Sequence, residues 1–493
     1  MVGFVPSGNE PGRHDDFIAG TRDRMSESFQ RPPITRPPLE PEEHDSAYEG
    51  RKKQLLRAFN QAVRAGEPVR LRKPTSNLFR ARKADSRYSL DVRAFNHVLR
   101  VDPTEGWADV EGMIPYEAAA DALLPHGFMP AVVPELKSIT VGGAISGGGI
   151  ESSSFRYGFV HETVREMEIL TGTGECVLCR PDNEHRDLFF GFPCSYGSLG
   201  YCLRARIRIV PTKPYVHLRH LRYSEIDTYF RDLEQLCREN RGHDAATAFI
   251  DGSVFSESEL FITIGKWTDE ASLVSDYTGM RIYHRSIREK EEDWLSVRDY
   301  LWRWDTDWFW CSRAFGAENP AIRRLYHHLG LLRSTSYWKM KALAERSGLL
   351  KVLGKERNVE YVIQDVEIPA ENAPEFLRFM LREIGLLPIW ICPAGSPDPA
   401  ARFSLYPTDS TLLYINFGFW GGVPSDQARG HYDRLVERKV IELDGKKSLY
   451  STSYYDRETF RKVYGGNACD ELKKRYDPDN RFPDRFEKCV RGG

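Results

Sequence analysis

Residues 139–160 read ITVGGAISGGGIESSSFRYGFV, with six glycines and three consecutive serines. Glycine has no Cβ, so such a run lets backbone approach a ligand closely. Hydroxyls beside it can hydrogen-bond phosphate or heterocycle oxygens. A glycine-rich turn is a natural cradle for a pyrophosphate, but two familiar forms fail here. A GxGxxG register through Gly147 and Gly149 meets Ser152 where the third glycine should stand. A GxxxxGK[ST] register through Gly142 and Gly147 meets Gly148 in place of lysine. The residues alone leave two readings open: a chain laid flat along a flavin dinucleotide, or close glycine packing with no ligand. Regular structure is not expected, because glycine weakens helix and strand alike.

Other residues offer chemistry less clearly. Cys176 and Cys179 form a CxxC without a second pair or histidines at zinc spacing, so they read as strand residues. His327 and His328 are adjacent and do not share a helical face, which excludes a metal pair. His161 reads as a structural histidine. Acid–base candidates lie further on: Asp365 in VIQD, Tyr414 and Asn416 in LLYINFG, and Tyr454 or Tyr455 in STSYYDRE. Each also has a plain structural reading, an ion pair for Asp365 and core or rim packing for the tyrosines. LWRWDTDWFW, residues 301–310, could wall an apolar pocket, touch a bilayer or pack in the core.

The elements that must position these groups follow from periodicity. Residues 1–45 are polar, hold seven prolines and read as an irregular arm. In SAYEGRKKQLLRAFNQAVRAGE, Leu55, Leu56, Phe59 and Val63 share a helical face. Short strands and turns then run to about residue 212, with a short helix in MIPYEAAADALLPHG. Leu203, Ala205, Ile207 and Ile209 alternate with Arg204, Arg206 and Arg208, which predicts a strand with a solvated arginine face. From residue 213, helices and strands alternate in an α+β texture, and helices close the chain. The organisation expected is an arm (1–45), a first domain (46–212), a second domain (213–450) and a C-terminal helical segment (451–493) that returns to the first domain.

Composition narrows the classes. The 493 residues carry 69 basic and 71 acidic side chains, a net charge of −2, which gives no bulk attraction to nucleic acid. Nine scattered cysteines suggest a reducing, cytoplasmic setting rather than a disulfide framework. No signal peptide and no apolar run long enough to span a bilayer is expected. Peripheral membrane contact stays open.

The segment PELKSITVGGAISGGGIESSSFRYGF resembles the central flavin loop of the vanillyl-alcohol-oxidase-type fold shared with p-cresol methylhydroxylase. More narrowly, it resembles the delta-24 sterol reductase (Diminuto/Dwarf1) family. The likeness extends from about residue 60 to about residue 490, through Asp187-Leu188-Phe189, Arg206 to Pro211, Phe309-Trp310, Gln364-Asp365, Pro388-Ile389-Trp390 and Phe482-Pro483. It implies an α+β protein with a PCMH/VAO-type FAD-binding domain and an α+β substrate (cap) domain. FAD-binding residues are then expected at Thr140, Val141, Gly142, Gly143, Gly147, Gly149, Glu151, Ser152, Ser153, Ser154, Tyr157, Gly158, Gly200 and Ile207. Where wider relatives carry an RGxGHS-like loop this chain reads LRKPTSNLFR, so Arg72, Thr75, Ser76 and Asn77 are expected at the pyrophosphate. No histidine stands there, so the FAD is expected to be non-covalent.

The resemblance implies reduction of an isolated carbon–carbon double bond in a lipid, a sterol side chain or a methylene-branched acyl chain. NADPH or NADH would recharge the flavin, and a lipid methyltransferase would be a fitting partner. Asp365, Tyr414 and Tyr454 are the candidate catalytic residues. A flavin-dependent alcohol oxidase or dehydrogenase is the competing enzyme. A flavin-free binding protein on the same scaffold is the competing class.

Overall fold

The computed structural model describes residues 41–73, 78–80, 88–242, 246–347 and 359–490. The first helix, Pro41–Arg64, begins ahead of the expected boundary at 46, and the rest of the expected arm, residues 1–40, lies outside the described residues. It buries Tyr48, Leu55 and Phe59 against a first group of strands. These are β1 (Val69–Arg72) and β2 (Tyr88–Asp91), paired in parallel, then β3 (Val98–Asp102), β4 (Trp107–Glu111), β5 (Phe128–Pro130), β6 (Val164–Leu170), β7 (Cys176–Cys179) and β8 (Tyr201–Pro211). The last six form one antiparallel sheet in the order β3-β4-β8-β6-β7, with β5 also on β8.

The arginine face of β8 is not simply solvated. Arg206 forms a two-pronged ion pair with Asp109 at 3.0 Å, Arg204 lies 3.4 Å from Glu166, and Arg208 sits over the Tyr157 ring. Half-burial between neighbouring strands gives each guanidinium a partner on the same face.

The chain then builds a second sheet from β9 (Tyr215–Tyr223), β10 (Thr247–Ser256), β11 (Glu259–Thr268), β12 (Glu292–Ser296), β13 (Val359–Pro369), β14 (Ile389–Gly395), β15 (Leu413–Pro424) and β16 (Lys446–Lys447). Its order is β12-β9-β11-β10-β14-β15-β13-β16, with every neighbour antiparallel. Helices Ile226–Glu239, Ala373–Phe379 and His431–Glu442 cover one face and share a core with Ile389, Ile391, Val366, Ile368, Ile415 and Phe417. Strand alternation sends Trp390, Cys392, Asp365, Glu367, Asn416 and Trp420 to the other face. That face looks toward the first sheet. The last helices return to the first sheet: Leu472 lies against Gly191, and Phe482 packs with Phe59 and Tyr201. No described helix is long and apolar enough to cross a membrane.

Candidate functional site

Between the glycine run and the bare face of the second sheet lies a cleft with about 1200 Å³ of empty space, open to solvent. Thr140, Gly143, Ser146 and Gly147 to Gly149 form one wall, and Trp308, Phe309, Trp390 and Trp420 form another. Lys73 and Phe79 flank the rim.

The glycine wall is helical, contrary to the propensity argument. Val141–Gly147 makes a two-turn helix whose N-cap is Thr140, its hydroxyl accepting the Gly143 N–H at 3.2 Å. Capping satisfies one orphan donor, and Gly142 packs so closely that a Cβ would meet the Gly112 carbonyl oxygen at 2.8 Å. Tertiary contact thus outweighs propensity. Gly148, with φ +79°, ends the helix in the left-handed region where glycine is favoured. Tyr196 braces the turn, donating to the Gly147 carbonyl at 3.0 Å while accepting the Leu449 N–H at 2.8 Å.

The aromatic wall is held under strain. Trp308 and Phe309 both have left-handed backbone, φ +47° and +59°. Such residues cost about 1–3 kcal/mol each and persist only where the surroundings over-determine them. Here the buried Arg323 grips Asp307 at 2.6 and 2.9 Å, and Ser312 donates to the same carboxylate at 2.8 Å.

Carboxyls gather at the same place. Glu367 is buried, and burial followed by the charge of Asp365 pushes its carboxyl up to about 8. Tyr406 donates to one of its oxygens and Ser448 to the other at 3.3 Å. Asp365, two residues earlier on the same side of β13, is pushed up to about 6 by burial. It accepts from Asn416 Nδ2 at 3.0 Å and bonds with Tyr450. Glu135, also lining the cleft, is raised well above the ordinary value by burial and then by the charge of Glu151. Aromatic walls and protonatable carboxyls together can exclude water and deliver a proton.

Residues 50–180 match a family model described as an FAD binding domain. The rat (Rattus norvegicus) delta(24)-sterol reductase is 29% identical over 418 residues, 80% of this chain and 76% of its own. The Arabidopsis thaliana delta(24)-sterol reductase is 25% identical over 454 residues, 82% of this chain and 77% of its own. The chain is an FAD-dependent oxidoreductase, similar over most of its length to delta(24)-sterol reductases. A rice (Oryza sativa subsp. japonica) cytokinin dehydrogenase 7 is also similar, 35% identical over 148 residues, 30% of this chain and 26% of its own.

The lining of the cleft of this oxidoreductase suits FAD. Gly143 and Gly147 to Gly149 offer backbone where a side chain would intrude, Ser146 and Thr140 add hydroxyl groups, and Lys73 brings a cation for phosphate. Of the residues expected from sequence to hold the cofactor, Thr140, Gly143, Gly147 and Gly149 line the cleft. Thr75, Ser76 and Asn77 lie outside the described residues, and Arg72 ends β1, exposed.

The serine hydroxyls point elsewhere. Ser152 donates to Glu151 and bonds Tyr300 at 2.7 Å, Ser153 donates to the Ala131 carbonyl at 2.7 Å, and Ser154 accepts the Glu151 N–H at 3.0 Å. All three are buried, so their hydroxyls fix the loop rather than lining the cleft. Val141, Gly142 and Ile207 are core residues. Tyr157 lies under Arg208, Gly158 takes φ +71° beside Glu162, and Gly200 takes φ +135° against the Leu170 carbonyl.

Of the three catalytic candidates, Asp365 lines the cleft. Tyr414 stands at the far end of β15, its hydroxyl accepting the Asp409 N–H at 3.1 Å. Tyr454 packs beside Gly430 and under Arg434, away from the cleft. Sequence reasoning missed Glu367, Tyr450 and Trp420. For Glu367 a signal existed: it sits at i+2 from Asp365 on a strand, hence on the same face.

The histidine and cysteines are inert. His161 is sandwiched by Phe159 and Phe403, and burial pushes it down to about 3. Cys176 and Cys179 point to opposite faces of β7, and burial pushes the Cys176 thiol up to about 12. No group of metal-ligating side chains occurs among the described residues.

Behind the cleft, Arg303 is buried between Glu151 at 2.9 Å and Asp251 at 3.0 Å, and Trp390 Nε1 donates to Asp251 at 3.3 Å. This joins the serine loop to the second sheet and to a cleft tryptophan. Arg303→Met leaves two buried carboxylates without their cation. Such a loss costs about 3–5 kcal/mol. The expected result is a lower urea midpoint with an unchanged slope; an unchanged midpoint would remove the cluster from any structural role.

Proposed function

We propose that the protein reduces an isolated carbon–carbon double bond of a lipid, a sterol side chain or a methylene-branched acyl chain. The observation that carries the reading is the carboxyl pair on β13, Asp365 and Glu367, inside an aromatic-walled cleft. An isolated alkene has no carbonyl to stabilise a carbanion, so one carbon must take a proton while the other takes a hydride. Bound FAD supplies the hydride chemistry in its reduced form. Glu367 holds its proton at neutral pH and serves as the acid, and Asp365 beside it sets how tightly that proton is held. Trp308, Phe309, Trp390 and Trp420 enclose the apolar chain and exclude water. Thr140, Ser146 and the glycine wall hold the cofactor, and NADPH or NADH supplies the electrons. The names of the rat and Arabidopsis relatives favour the sterol side chain.

The test is a single anaerobic turnover of reduced protein, first with a sterol bearing a side-chain alkene and separately with a methylene-branched phospholipid. A gain of two hydrogens in one product names the substrate. Unchanged mass in both, with peroxide formed from an alcohol instead, would replace the reading by an oxidase.

A further inference from the structure

The helix Pro320–His328 has an inward and an outward side. Inward, Arg323 holds Asp307 and the carbonyls of Gly279 and Arg281, at 2.8 and 3.0 Å for the latter two. Tyr326 donates to the Phe315 carbonyl at 3.0 Å. Outward, Ile322, Leu325 and Leu329 are 37%, 56% and 59% exposed. Their i, i+3, i+7 spacing is that of a stripe that ordinarily faces a core. Met280, on the loop fastened by Arg323, adds a further exposed apolar side chain.

The chain that carries this stripe is basic, although the exposed Asp276 lies beside His327 across Gly279. Residues 319–344 contain no Asp or Glu, but five Lys or Arg and two His. Arg324, His327 and His328 are exposed on the helix itself and Lys339 on the following helix; Arg333, also exposed, pairs with Glu117 at 3.5 Å. Glu318, just before the helix, is held by His284 at 3.1 Å and Arg285 at 2.6 Å.

The helix that carries the stripe is tied to the cleft wall. Arg323 fastens its helix to Asp307, next to Trp308 in the cleft wall. On the following helix, Ser334–Ser347, Trp338 packs on Phe79 with ring centroids 4.4 Å apart and on Trp308 at 5.2 Å. Phe79 and Trp308 both line the cleft. The segment 301–310, a bilayer candidate by sequence, is buried and cannot serve.

We propose that the outward face of Pro320–His328 docks on a bilayer carrying anionic lipid. Ile322, Leu325 and Leu329 enter the acyl boundary, and Arg324 and Lys339 meet the headgroup phosphates. Exposed aliphatic side chains on a helix with basic neighbours along the chain are the pattern of interfacial helices. A protein partner would need a groove of its own, apolar inside and acidic at the rim, to receive this projecting helix, whereas an anionic bilayer takes up aliphatic and basic groups without one. The lipid-reductase reading explains why the cleft lies beside this face, and the docking itself is measured without turnover.

The experiment floats the FAD-loaded protein with vesicles of phosphatidylcholine alone and of an equimolar mixture with phosphatidylglycerol. Wild type is expected to float with the anionic vesicles and to be partly released by salt. The double variant Leu325→Asp/Leu329→Asp is expected to lose about tenfold or more of the bound fraction, with flavin absorbance and melting temperature unchanged. Equal flotation of variant and wild type, or no flotation of wild type with either vesicle, overturns the proposal. So does a dimer in light scattering that the double variant dissolves, which would assign the face to a second copy. Docking without any alkene reduction would sink the reductase reading alone, and alkene reduction without docking would sink this inference alone.

Discussion

Glu367→Gln is expected to lower the rate of anaerobic alkene reduction by about 10²- to 10⁴-fold, the usual worth of a positioned acid, while retaining FAD. The amide keeps the shape and can still bond Tyr406 and Ser448, but it has no acidic proton to give. In the wild type the rate is expected to hold below about pH 8 and to fall above it, as the carboxyl ionises. Asp365→Asn removes the neighbouring charge that raises Glu367, so the falling limb moves to lower pH. Loss of the limb in neither variant, with rates near wild type, would dismiss the carboxyl pair as the proton source.

Stability provides an independent check on the same group. Folding raises Glu367 from an ordinary 4.5 to about 8, so the folded state favours the protonated carboxyl. Its contribution is full below pH 4.5 and is lost as pH rises through 8. Glu367→Gln abolishes that loss. The variant is therefore expected to be more stable than wild type above pH 8 although it is inactive.

The second large effect is on cofactor content. Gly143→Val is expected to cut the ratio of FAD to protein by about tenfold or more, because a branched side chain fills the cradle that backbone now lines. Its Cβ alone would meet Thr140 Oγ1 at 2.8 Å, disturbing the N-cap at a cost of about 1 kcal/mol. The fold should survive that. Gly142→Val, one residue earlier, drives a Cβ toward the Gly112 carbonyl oxygen at 2.8 Å and the Cys202 carbonyl oxygen at 3.3 Å. Backbone cannot yield as a side chain can, so this variant should lose its melting transition or its soluble yield. A yellow Gly143→Val protein with wild-type flavin absorbance would contradict the glycine wall as the FAD site.

The α+β texture was legible because strand alternation survives in the sequence. Ile389 and Ile391 meet helices while Trp390 and Cys392 face the cleft side, so β14 reads as apolar throughout and still as a strand. Asp365 was read as a candidate acid and Glu367 was not, although strand alternation puts both on the same side. The capped glycine helix was hidden because its stability comes from Gly112 and Cys202, far away in sequence. The serines of IESSS were flagged for their hydroxyls. Whether a hydroxyl faces a ligand or a carbonyl depends on which way the turn folds, and composition carries no record of that.

The returning C-terminal segment has a consequence for the order in which this chain can be made. The Val69 N–H at the start of β1 bonds the Arg481 carbonyl at 3.2 Å, and Phe482 fills the space between Phe59 and Tyr201. A ribosome delivers Phe59 more than four hundred residues before Phe482. The first sheet therefore emerges with an open seam and must wait, apolar side outward, until the segment around Phe482 has been synthesised. Chaperone demand should accordingly be set by the time of translation rather than by the speed of local folding.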